Sequence, residues 1–342
     1  MTLDRARAWW EALRGAPGTT RLSPANLAAD LATVEASLRA LPDAVDAVQR
    51  HGHPPETFGH AAAATVPTAP IEWVAVALAV GATVVLKRPR RDVGLLPAMV
   101  DAAARVGAPL HVTDALDEVG ACEAAVLLGA DASARAWANS AAGGRRLAFG
   151  HRVSVVAVHG SPTEDAAAAI ASDVAAADTR GCMSPIAVFV DGAADRWAAA
   201  LAEALETSQR ERPRGHIDDA EAVALRTAIA RARALGRASV GDGWSVLQLP
   251  ADRIPDHALP RQAVVIPWPT HAGRPPVRAV GALATTGPTL GLNAPRVTEL
   301  GRLQRPPLCR HHDGFDHLAW LGGHPDTPSR IAVLATDVDT QG

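Results

Sequence analysis

Cys182 is the residue of this chain whose surroundings best suit covalent chemistry. It lies in the loop DTRGCMSP (residues 178–185), which follows a predicted helix and precedes a predicted strand. A cysteine thiolate attacks carbonyl carbons. Arg180 is expected to lower the pKa of the thiol through its positive charge, and Gly181 allows the backbone to approach a substrate closely. The alternative is that Cys182 is a small core residue, which is the commoner role of a single cysteine.

Four cations at the end of the predicted strand Thr83–Lys87 are candidates for anion binding. They are Lys87, Arg88, Arg90 and Arg91. Ligands of open α/β sheets bind at the carboxyl ends of the strands, and this group of cations suits the ribose phosphate of a nucleotide. A solvated turn is an equally good interpretation of the same residues.

The turn Gly129-Ala130-Asp131 is a second candidate for cofactor binding. It follows the predicted strand Ala124–Leu128 and opens a predicted helix, so its backbone N–H groups would face a phosphate. Most strand-to-helix turns contain glycine, however, and the sequence has no GxGxxG. The standard dinucleotide-binding fingerprint is therefore absent.

The sequence does not predict a metal site. His311-His312-Asp313 are adjacent, and adjacent side chains rarely point to one ion. The cysteines are odd in number and widely spaced, which indicates neither a metal pair nor a disulfide framework. Cys122 and Cys309 lie in no loop comparable to that of Cys182, and we assign them structural roles.

Strand and helix patterns alternate along the chain, which predicts a parallel sheet covered on both faces by helices. The predicted strands are near-continuous runs of Val, Leu and Ala, as expected when both faces are buried. Ser161, Pro162 and Glu164 have the spacing of a helix start with a capping box, whereas 51–60 and 207–219 are predicted loops. The predicted helices are 3–14, 24–50, 93–106, 131–142, 162–177, 193–206 and 220–235. The predicted strands are 83–87, 110–113, 124–128, 152–159, 186–190, 244–249 and 263–267.

The composition limits the classes of function. The chain has 342 residues, 48% of them hydrophobic, which is enough for two domains. Lys and Arg number 33 against 36 Asp and Glu, and there is no Tyr, so we expect no nucleic-acid partner. The longest apolar stretches run about a dozen residues, short of the ~20 that span a bilayer. The N-terminus has no apolar signal core, and the cysteine usage fits a reducing cytoplasm, where we expect the protein to be.

Four segments of the chain carry a resemblance to a known family. They are VPTAPIEWVAVALAVGATVVLKRP (66–89), LLGADASARAW (127–137), GCMSPIAVFVDG (181–192) and GLNAPRVTELGRLQRPPLCRHHDG (291–314). In this order they resemble the acyl-CoA reductases of the bacterial fatty-acid reductase (LuxC) type, within the aldehyde dehydrogenase superfamily. The last segment is not general to aldehyde dehydrogenases, so it points to this subgroup.

The resemblance implies an α/β, aldehyde dehydrogenase-like fold with two parallel-sheet domains, one Rossmann-like for the cofactor and one catalytic. It places the cofactor-binding domain at residues 1–178 and the catalytic domain at 179–288. A C-terminal segment, 289–342, is expected to return to the first domain.

The resemblance also implies the reaction, which is the reduction of a fatty acyl-CoA to an aldehyde through a thioester on Cys182. The backbone N–H of Cys182 would stabilise the oxyanion, and one such donor is typically worth about 3 kcal/mol. An acyl-transferring partner enzyme and a homo-oligomer are further implications.

The reductant implied is NADPH, with NADH as the alternative. By position, Lys87 would contact the adenosine ribose, while Gly129 and Ala130 would let the cofactor approach the backbone. Arg88, Arg90 or Arg91 would favour a 2′-phosphate, and hence NADPH.

Two departures from the superfamily pattern bear on activity. Hydrolytic aldehyde dehydrogenases place a Glu in the stretch that corresponds to 147–158, whereas LAFGHRVSVVAV has no carboxylate, in agreement with a reductase. The side-chain oxyanion donor of the superfamily, an Asn, corresponds to Thr68 or Ala69 here. Loss of one such donor costs ~10²–10³ in rate.

Two other functions compete with acyl-CoA reduction. The first is another thioacyl-forming reductase of the superfamily, acting on an acyl phosphate such as glutamyl phosphate. The second is a scaffold that kept the fold and lost catalysis, which the altered residues Thr68 and Ala69 favour and the intact GCMSP loop opposes.

Overall fold

The structure is a computed structural model that describes residues 2–16, 20–61, 65–89, 94–140, 143–268, 277 and 280–334. The chain folds into two compact units. Unit 1 comprises Met1–Thr20, Leu31–His151 and Pro307–Gly342, and unit 2 comprises Arg21–Asp30 and Arg152–Pro306.

Helices and strands alternate through the middle of the described chain, as predicted, whereas three consecutive helices precede the first strand. The first part of the chain forms α1 (Thr2–Arg14), α2 (Pro24–Leu38), α3 (Leu41–Arg50), β1 (Thr57–Ala61), α4 (Ala69–Val80), β2 (Thr83–Lys87), α5 (Leu96–Val106), β3 (Leu110–Thr113), α6 (Leu116–Ala121), β4 (Ala124–Leu128), α7 (Asp131–Ala138) and β5 (Arg145–Phe149). The second part forms β6 (Val153–Gly160), α8 (Glu164–Ala175), a 3-10 turn (Ala176–Thr179), β7 (Pro185–Gly192), α9 (Ala194–Glu211), α10 (Asp219–Leu235), β8 (Arg237–Gly241), β9 (Trp244–Gln248), β10 (Gln262–Pro267), β11 (Val280–Thr285), β12 (Arg296–Thr298), α11 (His317–Leu321) and β13 (Arg330–Val333).

The sheet of unit 1 is parallel throughout its described strands. Its order is β13-β5-β4-β1-β2-β3. The chain builds outward from β1 in one direction through β2 and β3, and then in the other direction through β4, β5 and β13. The strand order therefore reverses between β1 and β4, and open α/β sheets bind ligands at the carboxyl ends of the strands beside such a reversal.

The sheet of unit 2 has the order β12-β11-β6-β7-β10-β9-β8. Its strands are parallel except at one edge, where β8 runs antiparallel to β9. Adjacent residues of β6 point to opposite faces, and both faces are buried: Val156 and Val158 pack with α8 and α9, while Val155 and Ala157 pack against the other layer. This explains the uninterrupted apolar runs in the sequence. The predicted α/β class with two sheets is confirmed, with β8 as the antiparallel exception.

The boundaries between the two units differ from the predicted 178 and 288. Besides the short excursion of residues 21–30 into unit 2, the chain changes unit after residues 151 and 306. The first of these changes lies at 151 because β6 pairs with β7 and β11 in the sheet of unit 2. The C-terminal residues from Pro307 onward belong to unit 1, where β13 pairs with β5.

The predicted loop 51–60 contains β1, the strand at the reversal of the sheet of unit 1. Its sequence, TFGHA, has one large apolar residue, so the pattern does not predict a strand there. Gly59 carries no Cβ because one would clash with the backbone of Val119. His60 is buried in the same strand.

Several predicted helices have other limits in the structure. The predicted helix 24–50 is two helices, because Pro42 cannot continue the first one. Helix α9 runs on to Glu211, into the predicted break. Helix α8 is capped by Thr163, whose side chain accepts a hydrogen bond from the Ala166 N–H, and not by Ser161 as predicted. Among the described residues, every helix is too short or too polar to cross a lipid bilayer.

Candidate active site

The Cys182 thiol lies on a tight turn immediately before β7. The turn is closed by the N–H of Ser184, which donates to the carbonyl oxygen of Gly181 at 3.0 Å. Cys182 is exposed and forms no disulfide. It is therefore not the core residue of the alternative interpretation, and its side chain is accessible to a reactant.

Three consecutive residues before this turn have left-handed backbone. Their φ angles are 46° at Ala177, 51° at Asp178 and 61° at Thr179. Left-handed backbone brings the Cβ of an L-residue close to the following carbonyl oxygen and costs roughly 1–2 kcal/mol per residue. Such a conformation persists only when neighbouring interactions hold it.

The Asp178 carboxylate is fully buried and accepts hydrogen bonds at both oxygens. Oδ1 accepts from Arg261 Nε at 2.7 Å and from Asn26 Nδ2 at 3.0 Å. Oδ2 accepts from the Gly215 N–H at 2.9 Å and from Arg180 Nη1 at 3.2 Å. Donors from three other segments of unit 2, together with Arg180 of the same loop, therefore converge on one side chain of the strained turn.

Arg261 holds the same turn from the start of β10. Its side chain is fully buried, and its Nη2 donates to the carbonyl oxygen of Arg212 at 2.7 Å. Its backbone N–H donates to Thr179 Oγ1 at 3.1 Å, and that hydroxyl donates to the Val174 carbonyl oxygen at 2.6 Å. Burial lowers the pKa of Arg261, and the Asp178 carboxylate opposes this effect.

Arg180, which is predicted to lower the pKa of the Cys182 thiol, pairs with two carboxylates. Its Nε donates to Glu221 Oε1 at 3.0 Å and its Nη1 to Asp178 Oδ2 at 3.2 Å. Its Nη2 donates to the His216 carbonyl oxygen at 2.7 Å. These contacts fasten the cysteine loop to α10 and to the segment before it, and the effect of Arg180 on the Cys182 thiol stays a prediction.

The other side of the Cys182 turn is held by Ser154 and Gln304. Ser154 is buried on β6, and its Oγ donates to the carbonyl oxygen of Cys182 at 2.9 Å. Gln304 Nε2 donates to Ser184 Oγ at 2.9 Å, and its backbone N–H donates to the buried carboxylate of Asp173. Burial raises the pKa of Asp173 to about 6. The C-terminal segment singled out in the sequence therefore supports the cysteine turn through Gln304.

The predicted cofactor residues that the structure describes lie at the carboxyl edge of the sheet of unit 1. Lys87 ends β2, and Gly129 follows β4, with β1 between these two strands. Adjacent strands are ~4.8 Å apart, so the two positions are separated by roughly 10 Å. Arg88 is exposed and pairs with Asp114, with Nε and Oδ1 3.2 Å apart. Arg90 and the arginine after it lie outside the described residues.

The turn after β4 presents the start of α7 at the same edge. Gly129 donates its N–H to the carbonyl oxygen of Phe149 at 3.1 Å. Ala130 is the exposed residue before α7, and no side chain caps the N–H groups of the first turn within the described residues. Asp131 accepts the N–H of His151 at 2.6 Å, so its carboxylate holds β5 to α7.

The structure also describes the residues at which the sequence departs from the superfamily pattern. Thr68 is buried at the N-terminus of α4, and Ala69 is the first residue of that helix. Neither can supply a side-chain amide. Ala148 is buried on β5, within the stretch where the hydrolytic enzymes have a carboxylate.

The two other cysteines and the histidine-rich segment lie in unit 1. Cys122 is buried, and burial raises the pKa of its thiol. Cys309 is exposed. The pKa of its thiol is raised mainly by partial desolvation and, to a smaller extent, by the negative charge of Asp43. The described residues contain no group of three or more His, Cys, Asp and Glu side chains that could hold a metal ion.

Sequence reasoning did not identify Asp178, Arg261, Asn26 or Ser154 as site residues. The Asp178 and Arg261 side chains are 83 positions apart in the chain, and those of Asp178 and Asn26 are 152 apart. No local spacing connects them. The only available signal was that Asp178 is the first residue of the cysteine loop.

Comparison with known proteins agrees with this structure. The chain resembles an oxidoreductase from Marinobacter aquaeolei at 13% identity, covering 87% of this chain and 78% of that one, with a TM-score of 0.65. It resembles 1-pyrroline-5-carboxylate dehydrogenase from Thermus at 13% identity over 93% and 77% of the two chains, with a TM-score of 0.63. For the NADP-dependent glyceraldehyde-3-phosphate dehydrogenase from Bacillus halodurans, the identity is 16%, the coverage 83% and 73%, and the TM-score 0.57. The fold is that of the aldehyde dehydrogenases.

A family comparison is more specific than these likenesses. No curated protein shows significant similarity to the sequence. The pattern of the acyl-CoA reductase (LuxC) family matches residues 46–271, a range that includes Lys87, Gly129 and Cys182. The chain is therefore an oxidoreductase that belongs to the acyl-CoA reductase (LuxC) family.

Proposed function

We propose that this protein reduces a fatty acyl-CoA to the aldehyde, with NADPH as reductant, through a thioester on Cys182. One observation carries the proposal: an exposed thiol stands on a turn that is held from both sides, in a chain of the acyl-CoA reductase family. A nucleophile must be accessible and fixed in direction, and the Cys182 turn meets both conditions.

The chain's own residues would act as follows. The Cys182 thiolate attacks the thioester carbon, and a C–S bond to the enzyme forms as the C–S bond to coenzyme A breaks. Coenzyme A leaves as a thiolate and takes a proton from solvent. Backbone N–H groups of the turn are the donors that we propose for the developing oxyanion, because no side-chain amide stands at Thr68 or Ala69. After reduction, collapse of the hemithioacetal releases the aldehyde and returns the Cys182 thiolate.

The carboxyl edge of the unit 1 sheet fits a nicotinamide dinucleotide. Lys87 offers a cation, and the uncapped start of α7 after Gly129 offers backbone donors for phosphate. The structures of the Thermus and Bacillus enzymes hold NAD and NADP. When bound, the cofactor supplies hydride to the acyl carbon. Arg88 beside Lys87 is the residue that we expect to favour the 2′-phosphate of NADPH.

The stretch around Ala148 supports reduction over hydrolysis. A hydrolytic enzyme needs a base to activate water, and the described segment 147–158 supplies no carboxylate. A thioester on Cys182 would therefore persist long enough to be reduced.

The test is to incubate the purified protein with radiolabelled acyl-CoA and to measure label retained on the chain. We expect label on wild type and on Cys309→Ala, which removes the other exposed thiol, and none on Cys182→Ala. Addition of NADPH should discharge the label as aldehyde, faster than NADH does.

Other results would identify the competing functions. Labelling by a radiolabelled acyl phosphate but not by acyl-CoA would indicate the acyl-phosphate reductase. Absence of label from both donors on the folded wild type would indicate a scaffold, and label on Cys182→Ala would show that another residue is the nucleophile.

A further inference from the structure

The left-handed turn before Cys182 depends on two buried side chains of opposite charge. We propose that Asp178 and Arg261 are positioning residues for acyl transfer, because together they hold residues 177–179 in the left-handed form from which the Cys182 turn starts. The inference rests on the proposed role of Cys182. It concerns residues that act through the backbone of the cysteine loop.

The Asp178 carboxylate is held by hydrogen bonds at both of its oxygens. Its four hydrogen-bond donors come from Asn26, Arg180, Gly215 and Arg261, at 2.7–3.2 Å. Asn26, Gly215 and Arg261 lie on three other segments of unit 2, whereas Arg180 belongs to the same loop as Asp178. A displacement of the turn in any direction therefore lengthens at least one charge-assisted hydrogen bond.

Arg261 binds two consecutive residues of the turn. Its Nε donates to the Asp178 carboxylate at 2.7 Å, and its backbone N–H donates to Thr179 Oγ1 at 3.1 Å. Arg261 itself has left-handed backbone, with φ of 54°. These two contacts fix both the place and the rotation of the turn relative to β10.

Only Arg180 and Gly181 separate the held residues from Cys182. The N–H of Arg180 donates back to the Ala177 carbonyl oxygen at 3.1 Å, so this link is also restrained. A change in the dihedral angles at Asp178 or Thr179 would therefore move the thiol. A misplacement of about 1 Å can cost about 10²-fold in rate.

General stabilisation is a weaker explanation for the pair. A buried ion pair adds little net stability, because the desolvation of both charges offsets their attraction. Here the charges meet where the backbone adopts an unfavourable conformation at three successive residues. The pair is therefore placed to select a conformation.

The experiment is single-turnover acylation of Asp178→Asn by radiolabelled acyl-CoA. The substitution keeps the size of the side chain and removes its charge and half of its acceptors. We expect acylation to slow by roughly 10²-fold. Alkylation of Cys182 by iodoacetamide, measured against Cys309 in the same molecules, should stay at the wild-type rate because the thiol remains exposed.

Two further variants separate positioning from loss of folding. Glu206→Gln removes a half-buried carboxylate elsewhere in unit 2, where it accepts from Trp244 Nε1 at 2.8 Å, and should acylate as wild type does. Adding Ala177→Gly to Asp178→Asn should recover roughly tenfold in rate, because glycine adopts the left-handed form without the Cβ clash. Arg261→Lys, which keeps the charge but loses the guanidinium, should slow acylation as Asp178→Asn does.

Each result decides between the ideas. Equal acylation of wild type, Asp178→Asn and Arg261→Lys would overturn this inference and leave the proposed function intact. An unlabelled wild type would overturn the proposed function, and the inference with it. If Asp178→Asn does not fold, as judged by circular dichroism, the folded Arg261→Lys variant decides, and slowing without rescue by Ala177→Gly counts against a role through the turn.

Discussion

At the residue scale, the Cys182 turn is held by hydrogen bonds to its backbone atoms. Arg180 is two residues from Cys182, yet its guanidinium pairs with Asp178 and Glu221. Ser154, far away in the sequence, contacts the cysteine's own carbonyl group. The orientation of the peptide bond after Cys182 is therefore set from β6.

Ser154→Ala tests this contact. Removing the hydroxyl frees the Cys182 carbonyl oxygen, and a hydrogen bond of this kind contributes about 0.5–1.5 kcal/mol. We expect acylation to slow by up to about tenfold, as measured by label retained in single turnover. Ser154→Thr keeps a hydroxyl and should retain more of the rate than Ser154→Ala does.

A matched control is Ser208→Ala. Ser208 is also buried in unit 2, but its hydroxyl makes no hydrogen bond among the described residues. Its removal should leave acylation unchanged and stability equal or higher, since an unsatisfied buried hydroxyl is costly. Equal effects of the Ser154 and Ser208 substitutions would argue against the proposed contact.

At the element scale, α8 connects the sheet of unit 2 to the cysteine loop. It carries Asp173, which accepts the backbone N–H groups of Leu303 and Gln304, and Val174, which accepts from Thr179. The position of this helix along its axis therefore sets where the left-handed turn begins, and the residue that caps its N-terminus matters.

Substitution at the two candidate caps checks the structure. Thr163→Ala removes the side chain that accepts the Ala166 N–H at 3.2 Å, and should lower the free energy of unfolding by about 1 kcal/mol. Ser161→Ala changes an exposed residue before the cap and should stay within ~0.5 kcal/mol of wild type. Denaturant unfolding measures both, and the reverse order would restore the predicted cap at Ser161.

At the scale of the whole molecule, the two units carry buried groups with opposite responses to acid. In unit 1, burial lowers the pKa of His60 from 6.5 to about 4 and that of His317 to about 3. In unit 2, burial raises the pKa of Asp30 and Asp173 from 3.8 to about 6. Each shift is a difference between folded and unfolded proton binding, and so each is linked to stability.

The signs predict a divergence as the pH falls from about 7 to about 5. At about pH 5 the two histidines are protonated in the unfolded chain and neutral in the folded one. This difference lowers the free energy of unfolding of unit 1 by about 2 kcal/mol for each histidine. The two aspartates are protonated in the folded chain and ionised in the unfolded one. This difference raises the free energy of unfolding of unit 2 by about 1 kcal/mol for each aspartate. Hydrogen exchange, corrected for its intrinsic pH dependence, should show protection falling in unit 1 and not in unit 2.

The variant His60→Leu provides the control. Leucine does not titrate in either the folded or the unfolded chain, so part of the acid sensitivity of unit 1 should disappear. A loss of protection shared equally by both units in wild type, or unchanged in His60→Leu, would contradict the assignment of the sensitivity to the buried histidines.

The sequence by itself determined the α/β class, most of the strands and the candidate nucleophile. These features are written in short stretches: apolar runs of strand length, such as Thr83–Lys87, coincide with the observed limits of the strand. The cysteine loop between a helix and a strand is equally local. Where a strand lacks such a run, as β1 does, its place depends on close backbone packing at Gly59, and the sequence pattern does not show it.

Only the tertiary structure decided how the candidate site is supported. The partners of Asp178 come from residues 26, 180, 215 and 261, and Cys182 is held by Ser154 from a neighbouring strand. A buried carboxylate must find its donors wherever the fold brings them, and no periodicity encodes contacts over such separations. For the same reason, the sequence does not predict that Arg180 pairs with Glu221 and Asp178.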